Sequence, residues 1–279
     1  MPLATLYVVA TPLGNLGDLT LRAAETLRAV PVVAAEDTRR TRGLLTHLGA
    51  SPQLLSFHQH SDARRIEVLL AILREGRDVA LVTDAGTPAI SDPGAELVAA
   101  VRAAGGTVVP IPGPSAVATA LSVAGLGGDR YLFLGFVPRK GRERQALLAR
   151  AAAEEWPVVF FEAPPRLVAL LEDLAALAGA GRPAVATREL TKLHEEVVAG
   201  TLAELIAHFT RTEPRGEFTV VLGGAGKPAA PPDRSEEAAE LATALLADGL
   251  TRKEVVRRLT EGLGLARNDA YRLVMELPA

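Results

Sequence analysis

Short apolar runs alternate with longer amphipathic ones along most of the chain. Thr5–Ala10, Pro31–Ala35, Leu54–Phe57, Asp78–Thr83 and Thr107–Ile111 are brief, and each stops on small or polar residues, glycine or proline. This is the pattern of strands covered on both faces. Between them, Leu19–Arg28 and Ala63–Arg74 have helical periodicity, the second with Ile66, Leu69, Leu70 and Leu73 on its apolar side. Alternation at this spacing predicts a mainly parallel sheet with helices on both faces. After Gly127-Gly128 the runs Tyr131–Phe136, Val158–Phe161, Ala184–Thr187 and Phe218–Leu222 predict a second α/β unit, with the boundary near Pro112–Gly128. Residues 224–234, rich in Gly, Pro and Ala, read as a linker. Beyond it Ser235–Leu246, Arg252–Thr260 and Ala266–Met275 read as three short helices. The expected domains are therefore 1–112, 113–223 and a helical module at 235–279.

The strand ends carry the polar chemistry. The stretch Val79–Gly94, VALVTDAGTPAISDPG, breaks from an apolar run onto a charge, small residues and two prolines. Ligands in open α/β sheets sit outside the carboxyl ends of strands, so backbone freed at Ala85–Thr87 would face one beside the Asp84 carboxylate. An ordinary capped loop accounts for the same residues, with Ser91 or Asp92 as N-cap and Pro93 at the first helical position. The cluster Glu36-Asp37-Thr38-Arg39-Arg40 is open to the same two readings, a site or a helix begun by Asp37. The loop Thr11–Asp18, TPLGNLGD, matches neither G-x-G-x-x-G nor G-x-x-x-x-G-K-[ST], so neither nucleotide fingerprint is claimed. In Pro112–Ala116 the prolines fix the backbone, Gly113 permits a close approach, and Ser115 is placed to cap a helix.

Composition narrows the class. With 279 residues, 48% of them apolar, the chain has material for two globular cores. It contains no cysteine, which excludes disulfides and thiolate metal sites and fits a reducing, cytoplasmic setting. His58 and His60 flank Gln59 without companion ligands, so no metal is expected. Met1–Gly17 lacks a basic residue ahead of its apolar part, and Pro12 and Gly14 break it, which argues against a secretory signal. The uncharged run Ala103–Gly128 is interrupted by Pro110, Pro112 and Pro114 and reads as strand, turn and buried helix, not as a membrane span. A net charge of −3 argues against a generally basic nucleic-acid binder, while local basic clusters remain available for phosphate.

Taken together, ATPLGNLGD, AEDTRRT, TDAGTPAISDPG, PGPSA, FEAPPR and RELTKLHEE resemble the tetrapyrrole methylase-like family, in particular its rRNA-methylating branch, over Leu6–Leu222. The tail GLTRKEVVRRLTEGLGLARNDAYRLV resembles the helix-turn-helix-like extension of some members of that branch. The resemblance implies two α/β domains of the tetrapyrrole methylase type with a ligand cleft between them, plus a small C-terminal helical module. It further implies S-adenosylmethionine as cofactor, a homodimer, and 2′-O-methylation of a cytidine ribose in the decoding region of 16S rRNA, as free rRNA or within the 30S subunit. Carried over by position, the cofactor cradle falls on Pro12, on Asp84, Ala85 and Gly86, on Ile90 and Ser91, on Ser115 and Ala116, and on Phe161 and Leu190. FEAPPR departs from its relatives at Phe161 and Pro165, where Tyr and His are common.

Removing a hydroxyl proton suggests Lys192, Asp37, Glu36, Glu162 or Glu195 as the base near such a cleft; a lysine would need a pKa lowered by burial. Glu162 and Glu195 are equally suited to pairing with Arg166 or Lys192. RNA phosphates would be met by Arg39, Arg40 and Arg42, by Arg139, Lys140, Arg142 and Arg144, and by Arg252, Lys253, Arg257 and Arg258, each of which also suits a solvated helix face. Two competing functions are methylation of a tetrapyrrole or other small acceptor on the same fold, and a ligand-sensing regulator whose tail reads DNA.

Overall fold

The computed structural model describes residues 3–58, 63–226, 235–263 and 267–276, with the backbone alone at 235–237. They belong to two compact units, Met1–Ala225 and Gly226–Ala279. The first sheet comprises β1 (Leu6–Val9), β2 (Val32–Ala35), β3 (Gln53–Ser56), β4 (Val79–Val82) and β5 (Val108–Ile111). Their order is β3-β2-β4-β1-β5, and every pairing is parallel, as the alternation predicts. All four residues of β2 and of β4 are buried, which places these strands under both helical layers.

Helix α1 (Leu21–Ala29) begins at Thr20, whose side chain accepts from the Ala23 N–H, and α2 (Thr38–His47) begins at Asp37, whose carboxylate accepts from the Arg39 N–H. They cover one face through Ala23, Leu27, Leu44 and Leu45. Helices α3 (Ala63–Arg74) and α4 (Ala95–Ala103) cover the other through Leu69, Leu73, Leu97 and Val101. Each fully buried leucine contributes about 1.5–3 kcal/mol, so the two layers hold β1, β2 and β4 as a fixed platform for their terminal loops.

After β5 the chain enters α5 (Ala116–Ala124), capped by Ser115 as expected; its Val117 and Ala120 pack on Val159, Val185 and Val221 of a second sheet. That sheet contains β6 (Leu132–Phe136), β7 (Val158–Glu162), β8 (Pro183–Arg188), β9 (Glu196–Thr201) and β10 (Phe218–Leu222), in the order β6-β7-β10-β8-β9. Helices α6 (Arg142–Ala153), α7 (Leu167–Ala178) and α8 (Leu202–Arg211) cover its other face.

Only the β6–β7 pairing is parallel here. The mainly parallel arrangement therefore stops at the first sheet. The loop 189–195 returns the chain directly into β9, and a short return of this kind produces an antiparallel pair. Strand β9 has no signature in the hydrophobic pattern, because its side chains, EVVAGT, are half-buried or exposed along an edge and leave no apolar run.

The second unit contains α9 (Ser235–Ala247), α10 (Arg252–Leu263) and α11 (Arg267–Glu276) around Ala242, Val255, Leu259, Ala270 and Val274. The expected linker lies outside the described residues from 227 onward, as do Gln59, His60 and Ala266. Among the described residues, no helix is long and apolar enough to cross a membrane.

Candidate active site

The terminal loops of β2 and β4 face those of β7, β8 and β10 across a cavity of about 430 Å³. Two loops form much of it. The loop after β4 holds Ala89 and Ser91 at φ 69° and 61°, and the loop after β8 holds Glu189 and Thr191 at φ 49° and 67°. These are the four non-glycine residues with positive φ among the described residues. Left-handed backbone costs an L-residue roughly 1–2 kcal/mol, so strain is concentrated where the chain turns around the cavity.

The sheets approach closely at Gly135, in the bulge of β6: its φ is 63°, and an added Cβ would lie 2.9 Å from Ser91 Oγ. The left-handed backbone at Gly135 favours glycine there, and a side chain would also displace the Ser91 hydroxyl. The apolar part of the cavity comes from Ile90, Ala116, Phe136, Phe161 and Leu190. The Phe161 ring stands 5.0 Å from Phe133, edge to face, and 5.6 Å from Phe136. Such pairing fixes an aromatic wall.

The polar part is mostly acidic. Asp84 accepts the Asp37 N–H at 2.9 Å, and Arg40 Nε lies 3.7 Å from its other oxygen. Burial raises the Asp84 pKa despite that hydrogen bond. Glu36 Oε2 accepts from the Thr83 hydroxyl at 2.7 Å. Asp92, half-buried beside them, is pushed up to about 6 by burial and by the Glu36 charge.

Across the cavity, Glu162 is only 2% exposed. Its Oε1 accepts the Ala163 N–H at 2.9 Å, and burial raises its pKa. Its Oε2 accepts no hydrogen bond, although Arg166 Nη2 lies 3.2 Å away: the distance suits an ion pair and the angle does not suit a bond. Lys192 Nζ donates to Glu189 at 3.0 Å and to Glu217 at 2.9 Å. Burial lowers its pKa, but those two bonds outweigh burial and the net shift is upward.

The structure thus gathers Asp84, Ala85, Ile90, Ser91, Ala116, Phe161 and Leu190 from the expected cradle. Glu36, Arg40, Glu162 and Lys192 join them. Pro12, Gly86 and Ser115 are not on the wall. Gly86 corrects the expectation of freed backbone: its N–H donates to Thr11 O at 3.0 Å and its carbonyl accepts from Thr11 N at 2.8 Å. The loop after β1 is stitched to the loop after β4 there, with Gly86 at φ 85°. Neither Ser91 nor Asp92 caps α4, because the helix starts later, at Ala95, with Gly94 in the cap position.

Other candidates have structural work. Asp37 caps α2 and binds Arg39, which lowers its pKa to about 2, too acidic for a base near neutral pH. Glu195 is exposed and accepts the Thr191 N–H, closing the loop after β8. Arg144 is bound to Asp173 at 2.6 Å and to the Pro138 carbonyl, and Arg252 donates to the Val274 carbonyl. Arg42, Arg139, Lys140, Arg142, Lys253, Arg257 and Arg258 are exposed, as is Arg39 beside its partner. Leu13, Asp92, Phe136, Gly216, Glu217 and Thr219 also line the cavity; sequence reasoning does not single them out as site residues, and it reads Asp92 only as a helix cap. Of these Phe136 carries a signal, as the last residue of an aromatic strand.

Residues 5–206 match the model of the tetrapyrrole (corrin/porphyrin) methylases. A relative from Synechocystis, named ribosomal RNA small subunit methyltransferase I, is 47% identical over 98% of both chains. One of the same name from Thermotoga maritima is 46% identical over 219 residues, 78% of this chain and 98% of its own. Among solved structures, a cobalt precorrin-4 methyltransferase has TM-score 0.61 at 20% identity, covering 80% of this chain and 96% of its own. Uroporphyrin-III C-methyltransferase from Thermus thermophilus, complexed with S-adenosylhomocysteine, has TM-score 0.58 at 21% identity, covering 80% and 98%. At those identities the solved structures establish the fold alone.

Proposed function

The chain belongs to the tetrapyrrole methylase family, and on that premise we propose that it is an S-adenosylmethionine-dependent methyltransferase of small-subunit rRNA. The acceptor is the ribose 2′-oxygen of a cytidine in the decoding region of 16S rRNA, and the enzyme works in the cytoplasm as a homodimer. One observation carries the acceptor class: the similarity to relatives named for small-subunit rRNA is 46–47%, whereas that to the tetrapyrrole enzymes is 20–21%. Leu21 and Leu193, 84% and 93% exposed, are apolar surface that a second copy would cover.

The cavity suits the cofactor on its own chemistry. Phe161, Phe136, Ile90 and Leu190 provide an aromatic and aliphatic wall for a flat base, and the acidic residues Glu36, Asp84 and Asp92 favour a cation. When bound there, the cofactor supplies an electrophilic methyl group. The protein aligns the acceptor oxygen, excludes water and receives the proton. Alignment contributes more, corresponding to about 7–11 kcal/mol, against about 10²–10⁴-fold for a general base. Asp37 is too acidic, Lys192 is held protonated, Glu195 closes a loop and the Glu162 side chain has no accessible surface, so Glu36 remains of these candidates as the proton acceptor. Exposed Arg39, Arg42, Arg139, Lys140 and Arg142 are available to rRNA phosphates.

A labelled-methyl assay offering 30S subunits, deproteinised 16S rRNA and a tetrapyrrole precursor in parallel tests this reading. Label in 16S rRNA supports it. Label confined to the tetrapyrrole sinks it.

A further inference from the structure

The loop 137–141 leaves the cavity at Phe136, a wall residue, and two arginines tie its first two carbonyls. Arg166, just before α7, donates from Nη2 to the Val137 carbonyl, and Arg144 of α6 donates from Nη1 to the Pro138 carbonyl at 3.1 Å. Both guanidiniums are themselves fixed by carboxylates. Arg166 Nη2 lies 3.2 Å from Glu162 Oε2, whose side chain has no accessible surface, and Arg144 donates through Nε and Nη2 to Asp173 of α7 at 3.0 and 2.6 Å. Burial raises the Glu162 pKa, while the Ala163 N–H and the charges of Arg166 and Arg144 lower it, so one buried carboxylate acts on both arginines. The next two residues differ from these. Arg139 and Lys140 are exposed, and Gly141 at φ 93° ends the loop before α6. Arg139 is the third residue after Phe136, so at most about 11 Å of extended chain separates it from the cavity wall.

Resting on the rRNA reading above, we propose that loop 137–141 is a pre-set phosphate-binding arm: Arg139 and Lys140 meet backbone phosphates flanking the acceptor nucleotide, and Arg144, Arg166 and Glu162 are positioning residues that hold the arm at a fixed offset from the cavity. Cations on an untethered loop must be ordered as they bind, and that ordering subtracts from affinity. Tying Val137 and Pro138 to α6 and to the end of β7 removes part of that loss beforehand. Phosphate contacts carry no sequence information but fix register, so an arm anchored beside Phe136 governs which nucleotide reaches the cavity. Glu162, closed off from substrate, acts only through Arg166.

Binding of unmethylated 30S subunits by the full chain across a salt series, with S-adenosylmethionine affinity and methyl transfer measured alongside, tests this. The double variant Arg139→Ala/Lys140→Ala should bind 30S subunits roughly tenfold more weakly, with a salt slope shallower by about 1.5, the loss of two phosphate contacts. Arg144→Gln should weaken 30S binding roughly threefold to tenfold with the slope unchanged, because it orders the arm without touching phosphate. Arg144→Lys, which keeps one donor, should recover part of that loss. Added to the double variant, Arg144→Gln should cost nothing further, since the anchor works only through the two cations. S-adenosylmethionine should bind all of them as it binds the wild type. Asp173→Asn, at a side chain 49% exposed, loosens the same arginine and serves if Arg144→Gln does not fold. Where the wild type methylates 30S subunits, unchanged 30S affinity in the folded double variant, or losses from the double variant and Arg144→Gln that simply add, overturn the proposal and leave the rRNA reading intact. A folded wild type that neither binds nor methylates 30S subunits or 16S rRNA overturns the rRNA reading itself.

Discussion

Replacing Lys192 by Met keeps most of the apolar stem and removes the ammonium, so it isolates what the charge does. The Glu217 side chain is 70% exposed, and its arm of the pair is worth about 0.2–1 kcal/mol. The Glu189 arm is more sheltered, at 19% exposure, but Glu189 Oε1 keeps the Glu217 N–H at 2.9 Å and is not left bare. A total near 2 kcal/mol follows, or a fall in Tm of about 4–8 °C for a unit of this size.

The deficit should also depend on pH. Lys192 is raised, so its contribution is complete below 10.5 and is lost as pH rises through its higher folded value. Burial raises the Glu189 pKa, but the bonds from Lys192 and the Glu217 N–H with the Lys192 and Arg188 charges together outweigh it and the net shift is downward, so its contribution is complete above 4.5 and fades as pH falls through its lower folded value. The gap in Tm between wild type and variant should therefore be flat between those limits and shrink outside them. Turnover on 30S subunits should fall with cofactor affinity unchanged. A wild-type rate that rises through a depressed lysine pKa, absent from the variant, is incompatible with an ammonium held charged by Glu189 and Glu217. Full activity of the folded variant at subsaturating RNA would contradict the predicted fall in turnover.

Gly86→Ala should cost roughly 1–2 kcal/mol through its φ of 85°, and it should weaken cofactor binding indirectly, because its Cβ would meet Leu13, a wall residue, at 3.3 Å; thermal melts with calorimetry check both. Ending the chain after Ala225 should leave cofactor affinity unchanged, since the Thermotoga relative aligns over a length no greater than the first unit; a folded but non-binding fragment would contradict this. Phe161→Ala should weaken cofactor binding by removing the ring paired with Phe133 and Phe136, and equal affinity in the folded variant would take the aromatic wall out of the site. The Asp92 contribution to thermal stability should decline as pH rises from 3.8 through about 6, because its raised pKa favours the protonated form in the folded state, so the Tm difference between wild type and Asp92→Asn should move against the wild type over that range.

The parallel sheet is legible in the sequence because β2 and β4 are buried on both faces and leave unbroken apolar runs. The antiparallel second sheet is not, since strand direction depends on how loop 189–195 returns and on the insertion of β10 between β7 and β8. Residues at the ends of β2, β4 and β7 stand out as polar breaks after apolar runs. Asp92 does not: ISDPG has the composition of a helix start, and only the late start of α4 turns its carboxyl into the cavity wall. Gly86 misleads for a related reason, because a glycine between small residues looks like open backbone until its partner, Thr11, is placed. The acceptors of Arg144 and Arg252 are carbonyls and an aspartate distant in sequence, so their basic runs look freer than they are.

Mass spectrometry of 16S rRNA, digested to nucleosides and to mapped fragments after reaction of unmethylated 30S subunits with the protein and S-adenosylmethionine, reads the proposed acceptor atom itself. The expected product is 2′-O-methylcytidine in the decoding-region fragment and nowhere else in that RNA. A methyl group on a base, or 16S rRNA left unmodified while a tetrapyrrole precursor is methylated, would contradict the assignment.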